Sequence, residues 1–146
     1  MKSRSQSLAL AAALSLAVLA APLLAKSEIK GAAILDHPCG KVAVEHMGLV
    51  HDGKMDEAVK LGTPEMQKQW AAIPAGDRAM MVKMMQGMSQ SKSEFSEDIK
   101  QHGVLVVDGA DATLTVQVQQ HDANGSSTST MTQNYKLDGS TCRISH

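Results

Sequence analysis

Residues 104–118 read VLVVDGADATLTVQV, and this stretch decides the fold class. Its first four residues are apolar, and after Asp108-Gly109 the apolar residues Leu114, Val116 and Val118 alternate with polar ones. Alternation with a period of two is typical of a strand that buries one face. Before this stretch the apolar residues repeat at helical spacing instead. The sequence therefore predicts helices first and a sheet after them.

Two more strands are predicted downstream, at residues 128–137 and around Cys142 and Ile144. Turns separate the strands. Residues 122–125 contain an Asn-Gly pair, which tolerates positive φ, and Asp138-Gly139 is expected to form a second turn. Helices followed by an antiparallel meander indicate an α+β fold. We expect a single domain in which the N-terminal helices pack on one face of a curved antiparallel sheet.

Four helices are predicted before the sheet, each with a start or stop signal in the sequence. Their approximate bounds are residues 36–53, 55–62, 63–74 and 77–89. Pro38 suits the first turn of the first helix, and Thr63 and Asp77 are expected to cap the third and the fourth. Gly53 and Gly62 mark the ends of the first two helices.

No helix or strand is assigned to two segments. Residues 26–35 are a polar opening followed by a short apolar stretch. Residues 89–98 are polar, and within them only Phe95 is expected to pack. The acidic residues of the second segment are expected to be solvated on the approach to the sheet; they are Glu94, Glu97 and Asp98.

Residues 1–25 have the order of a secretory signal peptide. Lys2 and Arg4 form a basic start, and a run composed almost entirely of Leu, Ala and Val follows. Ala20 or Ala25 then supplies the small residue that precedes cleavage. We expect this segment to be removed during export, so that the protein is periplasmic or secreted.

The alternative for this segment is a transmembrane anchor. It is disfavoured because the apolar run is at the short end of the about 20 residues that a span requires, and Pro22 interrupts its end. The remaining domain, residues 26–146, holds all 15 acidic residues and all but two of the 14 basic ones, so its net charge is −3. A mildly acidic domain without a basic cluster argues against nucleic acid and anionic membranes as partners.

Cys39 and Cys142 are the two cysteines of the chain and lie near opposite ends of the exported domain. An even count in an oxidising compartment indicates a disulfide, although two separate thiols or a reactive nucleophile are alternatives. The sequence has no Cys-x-x-Cys pair, which disfavours a redox role. A disulfide would require the start of the first helix to touch the last strand.

Five methionines lie within residues 80–88. On a helix Met81, Met84, Met85 and Met88 stand at i, i+3, i+4 and i+7 and form one stripe. Three interpretations stay open: a core-facing stripe with Met in place of aromatic residues, an adaptable surface for a partner, or a Cu(I) site, since soft thioethers select that ion. No histidine lies within this helix to complete a metal site.

Other chemical signals in the sequence are sparse. His46 and His51 are five residues apart, which separates them around a helix, and no His-Glu-x-x-His motif is present. The histidines are expected at the surface. Nucleophile-elbow, P-loop and dinucleotide-binding patterns are absent from the sequence. We therefore predict no cofactor and no metal ligand set, and we expect a protein that is not an enzyme.

Four segments of the chain resemble the nuclear transport factor 2-like superfamily, nearest to its small exported domains, and this resemblance implies the cystatin-like α+β roll. They are residues 40–49, 51–58, 63–66 and 135–144. They contain an Asp-Gly break between the first two helices, a Thr-Pro-Glu start to the third, and an Asp-Gly turn before the last strand. The chain departs from the family pattern at Cys142, where a bulky residue such as Trp is usual.

The resemblance implies two kinds of function, and the methionines suggest a third. Exported domains of this fold without catalytic residues include immunity-type inhibitors, so the leading hypothesis is a module that binds another envelope protein, such as a toxin, or a second copy of itself. An enzyme or small-ligand carrier would instead use the cone of the fold, with Tyr135 and His102 as acid or base. Copper handling through the methionines is the third hypothesis.

Overall fold

The structure of the protein, a computed structural model, describes residues 25–122 and 125–146, without the side chains of residues 120–122. The signal-peptide prediction falls on residues outside this part of the chain, apart from Ala25. Residues 123 and 124 of the predicted Asn-Gly turn are also outside it.

The elements follow one another in an order that the sequence largely predicts. In chain order they are β1 Ser27–Lys30, a 3-10 helix Gly31–Asp36, α1 Pro38–His51, α2 Met55–Ala58, a second 3-10 helix Val59–Leu61, α3 Pro64–Ala72, α4 Ala75–Met88, α5 Lys92–His102, β2 Val104–Asp108, β3 Asp111–Asp122, β4 Gly125–Asp138 and β5 Thr141–Ser145. The strands form one antiparallel sheet in the order β1-β2-β3-β4-β5. The prediction of an α+β fold with helices on an antiparallel sheet is confirmed.

The inner face of the sheet forms the core together with α1 and α5. On β3 the predicted alternation is confirmed, because Leu114, Val116 and Val118 are buried. Phe95 and Ile99, one turn apart on α5, are fully buried against this face. Burying such side chains stabilises the fold by about 1.5–3 kcal/mol each, so α5 contributes substantially to the core. Within the described residues no helix is long and apolar enough to cross a membrane.

A disulfide joins Cys39 to Cys142, as the sequence predicts. Cys39 lies in the first turn of α1 and Cys142 lies on β5; both are buried, and their Cα atoms are 5.1 Å apart. The bond therefore fastens α1 to the last strand of the sheet, across 103 residues of sequence.

The starts of the helices show which capping predictions hold. Thr63 caps α3 by accepting a hydrogen bond from the backbone N–H of Met66 at 3.4 Å. The prediction for Asp77 is wrong: α4 begins two residues earlier with Pro74 as its N-cap, and Asp77 lies in the first turn. There its carboxylate still faces the positive end of the helix dipole. The second predicted helix is divided into α2 and a 3-10 turn.

α1 is capped by a histidine rather than by a carboxylate. The Nδ1 atom of His37 accepts a hydrogen bond from the backbone N–H of Cys39 at 3.2 Å. Burial lowers the pKa of His37 below the ordinary value for histidine. The ring can accept this bond only while Nδ1 is unprotonated.

We expect the stability of the domain to depend on this cap at mildly acidic pH. The pKa of His37 is lower in the folded protein than in the unfolded chain. The stability that the His37 cap contributes is therefore present at neutral pH and is lost as the pH falls below about 6.5. Asparagine caps without titrating, so His37→Asn should reduce the acid-induced loss by about 0.5–2 kcal/mol. Urea unfolding of both proteins between about pH 7.5 and 5.5 tests this, and parallel stability curves would contradict it.

The sequence does not predict three of the elements. β1, which pairs with β2, and the first 3-10 helix both lie in the N-terminal segment to which no helix or strand is assigned. α5 occupies most of the segment expected to be irregular, and it begins with a capping box in which Ser91 and Glu94 each bond the other's backbone. This cap provides partners for N–H groups at the helix start, so the polar segment is helical.

Asp98 on α5 is buried, not solvated as expected. Its Oδ2 atom accepts hydrogen bonds from the side-chain amide of Gln90 at 2.8 Å and from the backbone N–H of Gln119 at 3.2 Å. The amide of Gln90 also donates to the backbone oxygen of Gln119 at 3.0 Å. β2 pairs with β3 only as far as Thr115, whereas β4 continues to pair with β3 on its other side. The side chains of Asp98 and Gln90 therefore bond the β3 backbone on the side that β2 leaves unpaired.

Candidate functional site

A cleft opens where α1, α4 and β4 face one another. Each element contributes residues at its own period: positions four and three apart on the helices and alternate positions on the strand. The residues are Ala43, His46, Met47 and Val50 on α1, Met81, Met85 and Met88 on α4, and Met131, Gln133 and Tyr135 on β4. The cleft is thus built from three patterns that lie far apart in the sequence.

The cleft has two lobes. The first lobe, of about 260 Å³, lies between the C-terminal halves of α1 and α4 and the middle of β4. The second lobe, of about 310 Å³, extends towards α2, α3 and β5. His46, Met85 and Gln133 line both lobes, so the lobes adjoin along these three side chains. We call the two lobes together the methionine cleft.

The lining of the cleft is apolar and rich in thioethers. Seven of the ten methionines of the chain line one lobe or both: Met47, Met55, Met66, Met81, Met85, Met88 and Met131. None of the described residues that line the lobes has an Asp, Glu, Lys or Arg side chain. Because thioether side chains are flexible and polarisable, such a lining adapts to the shape of what it binds.

His46 and Tyr135 are the polar groups that the first lobe leaves available. Burial lowers the pKa of His46 and raises the pKa of Tyr135, so at neutral pH the ring and the phenol are both uncharged. Neither side chain forms a hydrogen bond with the described residues. Gln133, by contrast, donates its amide to the backbone oxygen of Ser145 at 3.1 Å. His46, which is half-buried, is the more accessible of these two uncharged groups, because Tyr135 is only 1% exposed.

The structure corrects the core interpretation of the methionine stripe. No residue of α4 is buried, and Met84 and Met88 are exposed to 60% and 69%. Met81, Met85 and Met88 line the cleft, whereas Met84 lines neither lobe. α4 packs mainly on α1 and not on the sheet, which leaves the stripe beside an open cleft instead of within the core.

His102 does not belong to this site. It is the last residue of α5, not a strand residue, and it is exposed. His46 does line the cleft and is half-buried, although the histidines were expected at the surface. A sequence signal was present: Ala43, Met47 and Val50 share its helix face, and a histidine within such a stripe is a candidate for partial burial.

A separate cavity beside α2 is polar. It is about 430 Å³ in volume, and its lining includes side chains of both charge signs. The carboxylate of Asp56 accepts a hydrogen bond from the indole N–H of Trp70 at 2.7 Å and lies 3.8 Å from the guanidinium of Arg78. The guanidinium also lies over the ring of Trp70. Asp56, Trp70 and Arg78 thus contact one another, although the Nε atom of Arg78 is buried without a hydrogen-bond partner among the described residues. The methionine cleft is the better candidate site because its two lobes adjoin and are apolar.

Within the described residues, no three His, Cys, Asp or Glu side chains come together as a metal ligand set. No protein-family model, curated protein or solved structure matches the chain. The resemblance to the nuclear transport factor 2-like superfamily therefore stays a prediction, and function is argued from the cleft itself.

Proposed function

We propose that the protein is an exported, non-enzymatic binding protein that holds a small, uncharged and mainly apolar ligand in the methionine cleft. One observation carries this proposal: two adjoining apolar lobes open between α1, α4 and β4, and among the described residues no Asp, Glu, Lys or Arg side chain lines them. Clefts of several hundred Å³ with an apolar lining and a few polar groups are the usual form of small-molecule sites.

The polar groups limit what the ligand is. His46 and Tyr135 are uncharged and lack partners among the described residues, so each offers one hydrogen bond to a neutral group such as a hydroxyl or a carbonyl. An ionised organic ligand would be desolvated without a counter-charge, at a cost that hydrogen bonds from two neutral groups do not offset. The ligand class is therefore an apolar body with one small polar group.

Two further features support the proposal. The disulfide between Cys39 and Cys142 is of the kind that persists in oxidising compartments, which agrees with export. Three titratable side chains of the described residues line the cleft, namely His46, Tyr135 and His146, and His146 contacts the side-chain oxygen of Gln69 at 3.0 Å. His46 and Tyr135 have no hydrogen-bond partner among the described residues that would orient them. Acid–base catalysis usually requires such an orienting partner.

A neutral fluorescent probe tests the site. We expect N-phenyl-1-naphthylamine to bind the purified protein with enhanced fluorescence, and Met85→Gln to weaken this binding about tenfold. Met85 lines both lobes, so an amide there would be buried against the probe without a partner. Met84→Gln is the matched control, because Met84 is on the same helix and lines neither lobe. Equal binding by both variants would refute the proposal.

The exposed methionines favour a second candidate, the binding of another envelope protein at the outer side of α4. Met80, Met84 and Met88 are exposed to 60–71%, which is unusual for large apolar side chains. An immunity-type inhibitor would present such a surface to its toxin. A photo-crosslinking residue at position 84, compared with one at the exposed Lys68 of α3, tests this in cells. One protein captured at position 84 and not at position 68 supports it, and equal capture contradicts it.

A further inference from the structure

We propose that the first lobe is also a binding site for one Cu(I) ion, held by three or four of five candidate donors, which are the thioethers of Met47, Met85, Met88 and Met131 and the imidazole of His46. This inference does not depend on the proposed function, because copper binding requires the sulfur atoms of the lining, whereas an apolar ligand requires only a lobe of matching shape. The site also differs from one on the α4 stripe alone. Met84 is not a donor, and α1 and β4 supply the donors that α4 does not.

The donors approach the first lobe from three elements. α1 supplies two adjacent donors, α4 supplies Met85 and Met88 from one helix face, and β4 supplies Met131. A metal site needs ligands that surround the ion, and a single helix face cannot provide them. Here the fold places a helix on each of two sides and a strand on the third.

The chemistry of the lobe selects a soft monovalent ion. Thioether sulfur is a soft, uncharged ligand that favours Cu(I) over the harder divalent ions, and imidazole suits copper as well. No carboxylate lines the lobe, so an ion of higher charge would lack a counter-charge there. His46 makes no hydrogen bond with the described residues, so its ring is available without breaking an existing contact.

The lobe is open enough for the ion to enter and for the donors to adjust. Met88 is 69% exposed at the mouth, while Met85 and Met131 are half-buried within. Methionine has three rotatable bonds, so its sulfur can move into the volume of about 260 Å³ without a backbone change. The ion would thus draw α1, α4 and β4 together.

Anaerobic titration with Cu(I) against the chelator bicinchoninate tests the inference. We expect one Cu(I) per chain, and we expect Met85→Leu with Met131→Leu to weaken the affinity at least about tenfold, since loss of even an outer-shell partner of a ligand costs about 10–100-fold. Leucine replaces methionine at nearly constant volume. The double variant Met80→Leu with Met84→Leu is the control, because neither residue lines the lobe, and its affinity should equal that of the wild type.

Two further measurements separate the possible outcomes. The Met85→Leu, Met131→Leu variant should still bind N-phenyl-1-naphthylamine, because the lining stays apolar. If the variant loses the probe as well, X-ray absorption of the wild-type Cu(I) complex decides whether methionine sulfur binds the ion. Sulfur neighbours around copper support the site. Four results would each overturn the proposed copper site: absence of Cu(I) binding, unchanged Cu(I) affinity in the cleft variant, equal weakening of Cu(I) affinity in the control variant, or a copper environment without sulfur.

Discussion

Replacing Cys39 and Cys142 together with alanine is expected to lower the free energy of unfolding by about 3–5 kcal/mol. The bond spans 103 residues of sequence, so its removal gives the unfolded chain a large increase in conformational freedom. In the chain-entropy description a loop of about this length is worth about 4.7 kcal/mol. A single domain of this size is typically stable by only about 5–15 kcal/mol, so the variant should be close to unfolding at growth temperature.

Urea unfolding followed by circular dichroism measures this loss. Reduction of the wild-type protein is the matched control, because it opens the same loop while keeping both sulfur atoms. The reduced protein should lose nearly as much stability as the alanine variant, and the difference between them reports the packing of the two buried side chains. A reduced protein that unfolds at the same urea concentration as the oxidised one would show that the bond does not constrain the domain.

Gly40→Ala is expected to destabilise the protein by about 3 kcal/mol or more. A Cβ atom at this position would lie 1.8 Å from the backbone oxygen of Ile34 and 2.6 Å from its carbonyl carbon. The obstacle is the backbone of the first 3-10 helix and not a flexible side chain, so α1 and this helix would have to separate. Overpacking that forces backbone movement costs about 1–3 kcal/mol and occasionally more.

Gly87→Ala is the control, for which we expect a change in stability of the opposite sign. Gly87 lies near the end of α4, and a Cβ atom there would meet nothing within 4 Å. Alanine in a helix is favoured over glycine by about 0.5–1 kcal/mol because it restricts the unfolded chain, so this variant should be slightly more stable. Thermal unfolding of the two variants measures both shifts. A Gly40→Ala protein that is as stable as the wild type or more stable would mean that the close approach at Gly40 is not tight.

The sheet was predictable because its pattern is local. Alternation at Leu114, Val116 and Val118 identifies a half-buried strand without any knowledge of the rest of the chain. α5 was missed because it has only two apolar anchors, Phe95 and Ile99, among polar residues, so its periodicity is weak. Its capping box was a usable signal: Ser91 followed three residues later by Glu94 indicates a helix start.

The cleft was less predictable than the fold. A stripe at helical spacing has the same pattern whether it packs in a core or borders an opening, and the position of α4 on α1 decides between the two. Met131 and His46 gave no local sign that they would face the same space, because strand order and helix placement bring them together. Sequence reasoning therefore identified α4 as unusual and left open what its methionines do.

The contacts of Asp98 have a consequence for behaviour at high concentration. The last residues of β3 run beyond β2, and an unpaired strand border invites another chain to add to it. At Gln119 the donor and the acceptor are already taken by Asp98 and Gln90, so an intruding chain would have to displace a buried carboxylate. We expect this arrangement to hinder the addition of a strand from another chain along that border.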